Sequence, residues 1–232
     1  MTPRHPHPSV FMFLITPFGV LSGYLTVAMA FLLSKQHVKV EAIATLIAVS
    51  FIPHTWKFLW APIADTTLTS RRWYLIGSVV TSAGICAMGA IPMTLASLPL
   101  LTSVMLVANF AVTFMGMSTE SLMARTVPED EKGRAGGWFQ AGNLGGGGIG
   151  GGIGLLLAQH LPAPWMSGAI LGGLCLLCAL PLVFVTEPPP DRAHGIMKSV
   201  AFIGADLWKL ARARMGFVAL VLCFLPIGSG AA

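Results

Sequence analysis

Lys57 lies inside an otherwise apolar run, 42–63, with His54 three positions earlier on nearly the same helical face. An ionisable side chain in such a run can hold a charged solute or a coupling ion, or it can reach toward the lipid headgroups. Asp65 follows Lys57 by eight residues, roughly 12 Å along a helix. A short turn, 66–70, then leads to Arg71-Arg72. An acid closing one helix and two bases opening the next can form a charged latch. Interfacial arginines can also do no more than set topology, and both readings stand. Glu120 is a further acid, just past another apolar run. Gln140 and Asn143 are amides near the start of the next, where they could line a solute cavity.

Other chemistries lack their parts. His5, His7, His160 and His194 are scattered without metal-ligand spacing, so no metal is expected. Cys175 and Cys178 form a C-x-x-C on an apolar run and read as small packing residues. Ser229, in Gly228-Ser-Gly230, has no histidine beside it in the sequence. Acids, histidines and nucleophiles are too sparse for an enzyme, and no catalytic residue is assigned. The glycine-rich stretch 142–154 contains G-x-G-x-x-G spacings, but it sits in a hydrophobic run with no strand before it. No cofactor is expected.

The elements that must position these residues follow from composition. Of 232 residues, 14 are Lys or Arg and 9 are Asp or Glu, which is 10% charged, against about a quarter in soluble domains. Apolar residues make up 55% and mean hydropathy is +0.77. A soluble enzyme, a disulfide scaffold with only four Cys and a disordered chain are all excluded. A helix needs about 20 apolar residues to cross a bilayer. Such runs occupy 10–33, 42–63, 73–92, 96–117, 139–161, 167–185 and 217–232, and Lys57 is the one Asp, Glu, Lys or Arg inside them. Amphipathic helices of a soluble bundle would carry charge on one face throughout. Six full spans and the start of a seventh are predicted.

With the N-terminus in the cytoplasm, eleven basic residues fall on the inner side and only Lys35 and Lys39 on the outer side. The pI near 9.3 therefore reflects topology, and no nucleic-acid partner is read from it. Ala28-Met29-Ala30 could mimic a signal-peptide site, but the apolar stretch is too long and continues through Leu33, so the first helix is retained.

The chain divides into a six-helix transmembrane bundle, 1–186, a cytoplasmic linker, 187–215, and the start of a seventh helix, 216–232. In the linker, Ile196, Val200, Ile203, Leu207 and Leu210 recur at helical spacing among charged residues, as on an amphipathic helix at the membrane surface or packed on the bundle. The seventh run ends without a polar flank, so the chain is expected to be one half of something longer. The glycines at 146, 150 and 154 repeat every four residues, which lets helices approach closely. Such contact suits a sliding interface or static packing equally.

Lys57-Phe-Leu-Trp60-Ala-Pro62-Ile-Ala-Asp65 with Arg71-Arg72 resembles the signature of the muropeptide-permease (AmpG-like) and acetyl-CoA transporter branch of the major facilitator superfamily. The resemblance extends to Val127-Pro128-Glu-Asp-Glu-Lys-Gly133 and to Glu120. It departs at Ala61, where the superfamily pattern has Gly, and at Leu144, where the branch has a basic residue. It implies an all-α polytopic fold, here the N-terminal half. It also implies a cytoplasmic gate of Asp65, Arg71 and Arg72, with Glu120 as the natural partner of one arginine. The expected activity is secondary transport of a small solute by alternating access, proton-coupled, with a peptidoglycan fragment or other organic molecule as substrate. The expected setting is the bacterial inner membrane. The partners are lipid, solute, protons and the absent C-terminal half. The rival reading is a non-transporting membrane module for assembly or sensing.

Overall fold

Backbone N–H and C=O groups in hydrocarbon have no water to bond, so a chain this apolar must satisfy them within its own helices. In the computed structural model, which describes residues 6–187 together with Lys209, Arg212, Ala213 and Gly216, no strand occurs among the described residues. The described residues 6–187 form one compact unit. The linker helix and seventh run expected at 187–215 and 216–232 fall almost wholly outside the described residues.

Helix α1 spans Val10–Lys35, with a π-helical stretch at Tyr24–Met29. It ends in a Schellman turn: Val38 N–H bonds Leu33 O and His37 N–H bonds Ser34 O, with His37 in the left-handed region at φ 56°. The second passage was expected as one span, 42–63, and the structure corrects this. It is broken into α2, Val40–Ser50, α3, Ile52–Thr55, and α4, Lys57–Thr66. Pro53 has no N–H to return to the carbonyl four residues back, and Trp56 leaves helical geometry at ψ 19°.

Then follow α5, Ser70–Ala90, and α6, Leu98–Thr126. Helix α7 is built from Lys132–Gly148, a π-helical turn Ile149–Ile153 and Gly154–His160. Helix α8, Pro164–Leu177, leads to a 3-10 turn at Leu180–Phe184. Among the described residues, four helices are long and apolar enough to cross a membrane: Val10–Lys35, Ser70–Ala90, Leu95–Thr126 and Trp165–Phe184.

The apolar runs ending at 117 and resuming at 139 leave a connection of 118–138, and the structure shortens it. Helix α6 continues to Thr126 and α7 begins at Lys132, which puts Glu120 inside a helix. The polar residues there do not stop the helix, because Ser118, Thr119 and Thr126 return their hydroxyls to the carbonyls of Phe114, Met115 and Leu122.

Packing is closest between α1 and α7. A Cβ on Gly142, Gly146 or Gly150 would strike the backbone of Met12, Thr16 or Val20 respectively. One on Gly154 would meet the Tyr24 ring and Leu171. Each step is four residues on both helices, so α1 and α7 run parallel, backbone against backbone. Helix α5 instead runs antiparallel to α8, where Gly168 lies on Ile85 and Gly172 on Ser82. Tyr74 Oη on α5 donates to Leu14 O at 3.0 Å and fixes α5 to α1. Helix α1 is deeply buried, with Phe11, Leu14, Leu21, Tyr24 and Leu25 all at 0% exposure. The broken second passage leans on α6. The first passage also packs on the fourth.

Candidate functional site

The break in the second passage turns its polar residues toward α6. His54 Nε2 lies 2.8 Å from Asn109 Oδ1, and His54 Nδ1 lies 2.9 Å from Thr113 Oγ1. The Asn109 amide also donates to Met105 O at 2.9 Å, and the Thr113 hydroxyl contacts Asn109 O at 2.7 Å. Phe18 of α1 and Phe51 wall the imidazole at ring separations of 5.0 and 5.5 Å. Both ring nitrogens are thus held by α6 within an apolar collar.

About one turn further along, Lys57 Nζ donates to both carboxylate oxygens of Glu120, at 2.7 and 2.6 Å. This corrects the expected pairing of Glu120 with an arginine. The ammonium reaches across from α4 because Asn109, Thr113, Glu120 and Ala124 fall within about 60° of one another around α6 at 100° per residue. That stripe faces His54, Lys57 and Ala61. The pair lines a cavity of about 730 Å³, together with Thr55, Ala64, Ser121 and Arg125. The Lys57 and Glu120 side chains are 39% and 46% exposed. A pair so exposed adds about 0–1 kcal/mol to stability, so its presence is not explained by folding alone.

The remaining expected residues lie elsewhere. Asp65 is near the end of α4. Arg71 and Arg72 are in the first turn of α5, whose amides are capped from two directions. Glu187 accepts from Ser70 N–H at 2.6 Å and from Arg71 N–H at 3.1 Å, and Thr69 Oγ1 accepts from Arg72 N–H at 3.3 Å. Gln140 and Asn143 are on α7, where Asn143 donates to Gln140 at 3.5 Å, and neither lines the cavity. Gly146 and Gly150 face α1, and Gly154 faces Tyr24 and Leu171.

Sequence reasoning missed Asn109, Thr113 and Glu187. The first two carried a signal, since a buried amide and hydroxyl four apart on an apolar span share a face with Glu120 seven residues further on. Glu187 carried only the fact of being an acid directly after the sixth span.

The profile of the Major Facilitator Superfamily matches residues 10–231. No curated protein matches the chain. A match over nearly the whole length means that the chain belongs to the Major Facilitator Superfamily and is a transporter of that kind, not an enzyme.

Proposed function

We propose that the protein moves a small organic solute by proton-coupled alternating access, using the face shared by the broken second passage and α6 as its solute and coupling site. The observation that carries this is the Lys57–Glu120 pair on the wall of the 730 Å³ cavity. A charge at mid-membrane costs about 2.5–3.5 kcal/mol to insert unpaired, and an ion pair joining the broken passage to a membrane-length helix marks solute or ion pathways. The break at Pro53–Trp56 adds to the reading, because interrupted helices in transporters lie beside binding sites. The exposed cavity face would be closed by a second helix bundle that rocks against this one. Asp65, Arg71 and Arg72 would form the cytoplasmic gate. The basic-residue asymmetry supports a cytoplasmic N-terminus, and a bacterial inner membrane is the setting this reading takes. Peptidoglycan fragments head the substrate list, from the resemblance around Lys57–Asp65.

Uptake into vesicles holding the purified protein, measured with and without an imposed proton gradient, tests this. Solute accumulation that follows the gradient supports the reading. Equal flux with and without the protein, for every solute offered, overturns it.

A further inference from the structure

We infer that the solute is amphipathic: its polar head lies in the Lys57–Glu120 cavity and its apolar tail runs along a groove between α5 and α6. This rests on the transport reading above and narrows the substrate to a class.

The groove is a second hollow, of about 400 Å³. Trp73, Ile76 and Val80 of α5 line it with Phe110 and Phe114 of α6, and Pro53 joins them from the break in the second passage. No lining residue carries a charge, a hydroxyl or an amide side chain. At Val80 and Val107 the groove meets a further hollow of about 340 Å³, which continues to Ala87 and Ser103. Trp73 to Ala87 spans about 21 Å of helix, more than the roughly 15 Å of hydrocarbon in one leaflet.

Aromatic rings fix the shape of this groove. Trp73 stacks on Phe114 at a ring separation of 4.4 Å, and Phe114 leans on Phe110 at 5.2 Å. Trp60 meets Phe110 edge-on at 4.9 Å. The Trp73 indole N–H also donates to Thr67 Oγ1 at 3.2 Å. Rings that hold one another leave a formed hollow, not a gap between slack side chains.

Groove and cavity follow one another on a single face of α6. Phe110, Phe114, Met117 and Ser121 fall within about 60° of one another at 100° per residue. The first two line the groove and the last two line the cavity. The two hollows share no lining residue, and Phe114 and Met117, one turn apart, mark the boundary. Met117 is unbranched and changes shape readily, so it can yield to a chain passing between them.

Charge is confined to one end of this track. Lys57 and Glu120 stand side by side, each more than a third exposed. A head bearing both charges therefore finds a counter-charge for each while the pair stays closed. Arg125 lines the same cavity and has an interaction of its own. A wholly polar solute would leave the groove unused. A wholly apolar one would gain little over lipid tails, which are as apolar as the groove. Only a molecule with both parts uses both hollows.

The test is uptake by the full-length protein in liposomes, below micelle-forming concentrations. Three labelled series are offered: acylcarnitines with a zwitterionic head, alkyl glucosides with a neutral one and alkyl sulfates with an anionic one. Within each, the tail lengthens from two carbons to an octyl chain. The KM of the acylcarnitines should fall about three- to fourfold per added methylene. Partition into the bilayer adds to that fall equally for every variant, so the decisive measure is the difference between proteins. Val107→Trp places a ring where the two apolar hollows meet, and Ile76→Trp places one on the half-exposed rim. Each should raise the KM of the octanoyl ester by about tenfold or more, as loss of several methylene contacts implies, and change that of the acetyl ester far less. Size-exclusion profiles check that both variants are folded. Equal effects at every tail length, the result expected if bilayer lipid or a second helix bundle fills the groove, overturn the tail assignment and leave transport standing. Stronger uptake of glucosides or sulfates than of acylcarnitines overturns the zwitterionic head. Uptake of N-acetylmuramate or glucose with none of the three series overturns the inference alone, and no movement of any solute overturns both.

Discussion

The Glu187 carboxylate closes the N-terminus of α5, with Oε1 2.6 Å from the amide of Ser70. An acid placed on the first unpaired N–H groups of a helix satisfies them and opposes the helix dipole. It also fixes the chain that follows the sixth passage to the turn joining the second and third. Glu187→Ala should destabilise the protein by about 1–2 kcal/mol. Glu187→Gln should recover part of that, because an amide oxygen still accepts. Thermal unfolding in detergent measures both, and an unshifted midpoint in the alanine variant would show the contact to be idle.

The glycines of α7 are not equivalent. Gly150→Ala drives a methyl into the Val20 carbonyl and should cost about 1–3 kcal/mol. Gly148 has nothing within 4 Å of its added Cβ. Gly148→Ala should therefore be neutral or stabilise by about 0.5–1 kcal/mol, as alanine does in a helix interior. Similar losses in both variants would argue against the parallel seating of α1 on α7.

His54 and Asn109 should be energetically coupled. Each single change, His54→Phe or Asn109→Leu, strands a buried polar partner and should cost about 1–3 kcal/mol. The double variant removes both ends and should cost less than the sum, with a coupling of about 0.5–3 kcal/mol. Strict additivity in a double-mutant cycle would mean that the two side chains do not interact.

His37 holds a left-handed conformation that suits glycine. His37→Gly should leave the protein as stable or raise stability by up to about 1 kcal/mol. His37→Val should lower it, since a β-branched residue resists that region. A raised unfolding temperature for the valine variant is the outcome that would contradict the turn.

Much of this is legible in the sequence. Charge exclusion from the apolar runs is a bulk property of lipid, so it marks the helical passages and singles out Lys57 on its own. The ends and the breaks are harder to read. Hydropathy registers where hydrocarbon stops, but α6 runs nine residues past the apolar stretch ending at 117, because its Ser and Thr hydroxyls bond within the helix. The interruption at Pro53–Trp56 leaves no mark on apolarity. The Lys57–Glu120 contact joins residues 63 apart in sequence, and which acid an intramembrane lysine meets depends on how two helices are rotated. That rotation is set by packing and not by spacing along the chain. Arg71 and Arg72 were the nearer candidates in the loop, yet their turn is organised by Glu187.

Where α1 and α7 meet at Gly142, Gly146 and Gly150, glycines put main chain on main chain, with little side chain between them to change rotamer and take up slack. Two rods joined in that manner behave as a single plank: torque applied to one is delivered undiminished to the other. The jointed rod of α2, α3 and α4 beside it, broken at Pro53–Trp56, is where bending during solute passage would be taken up.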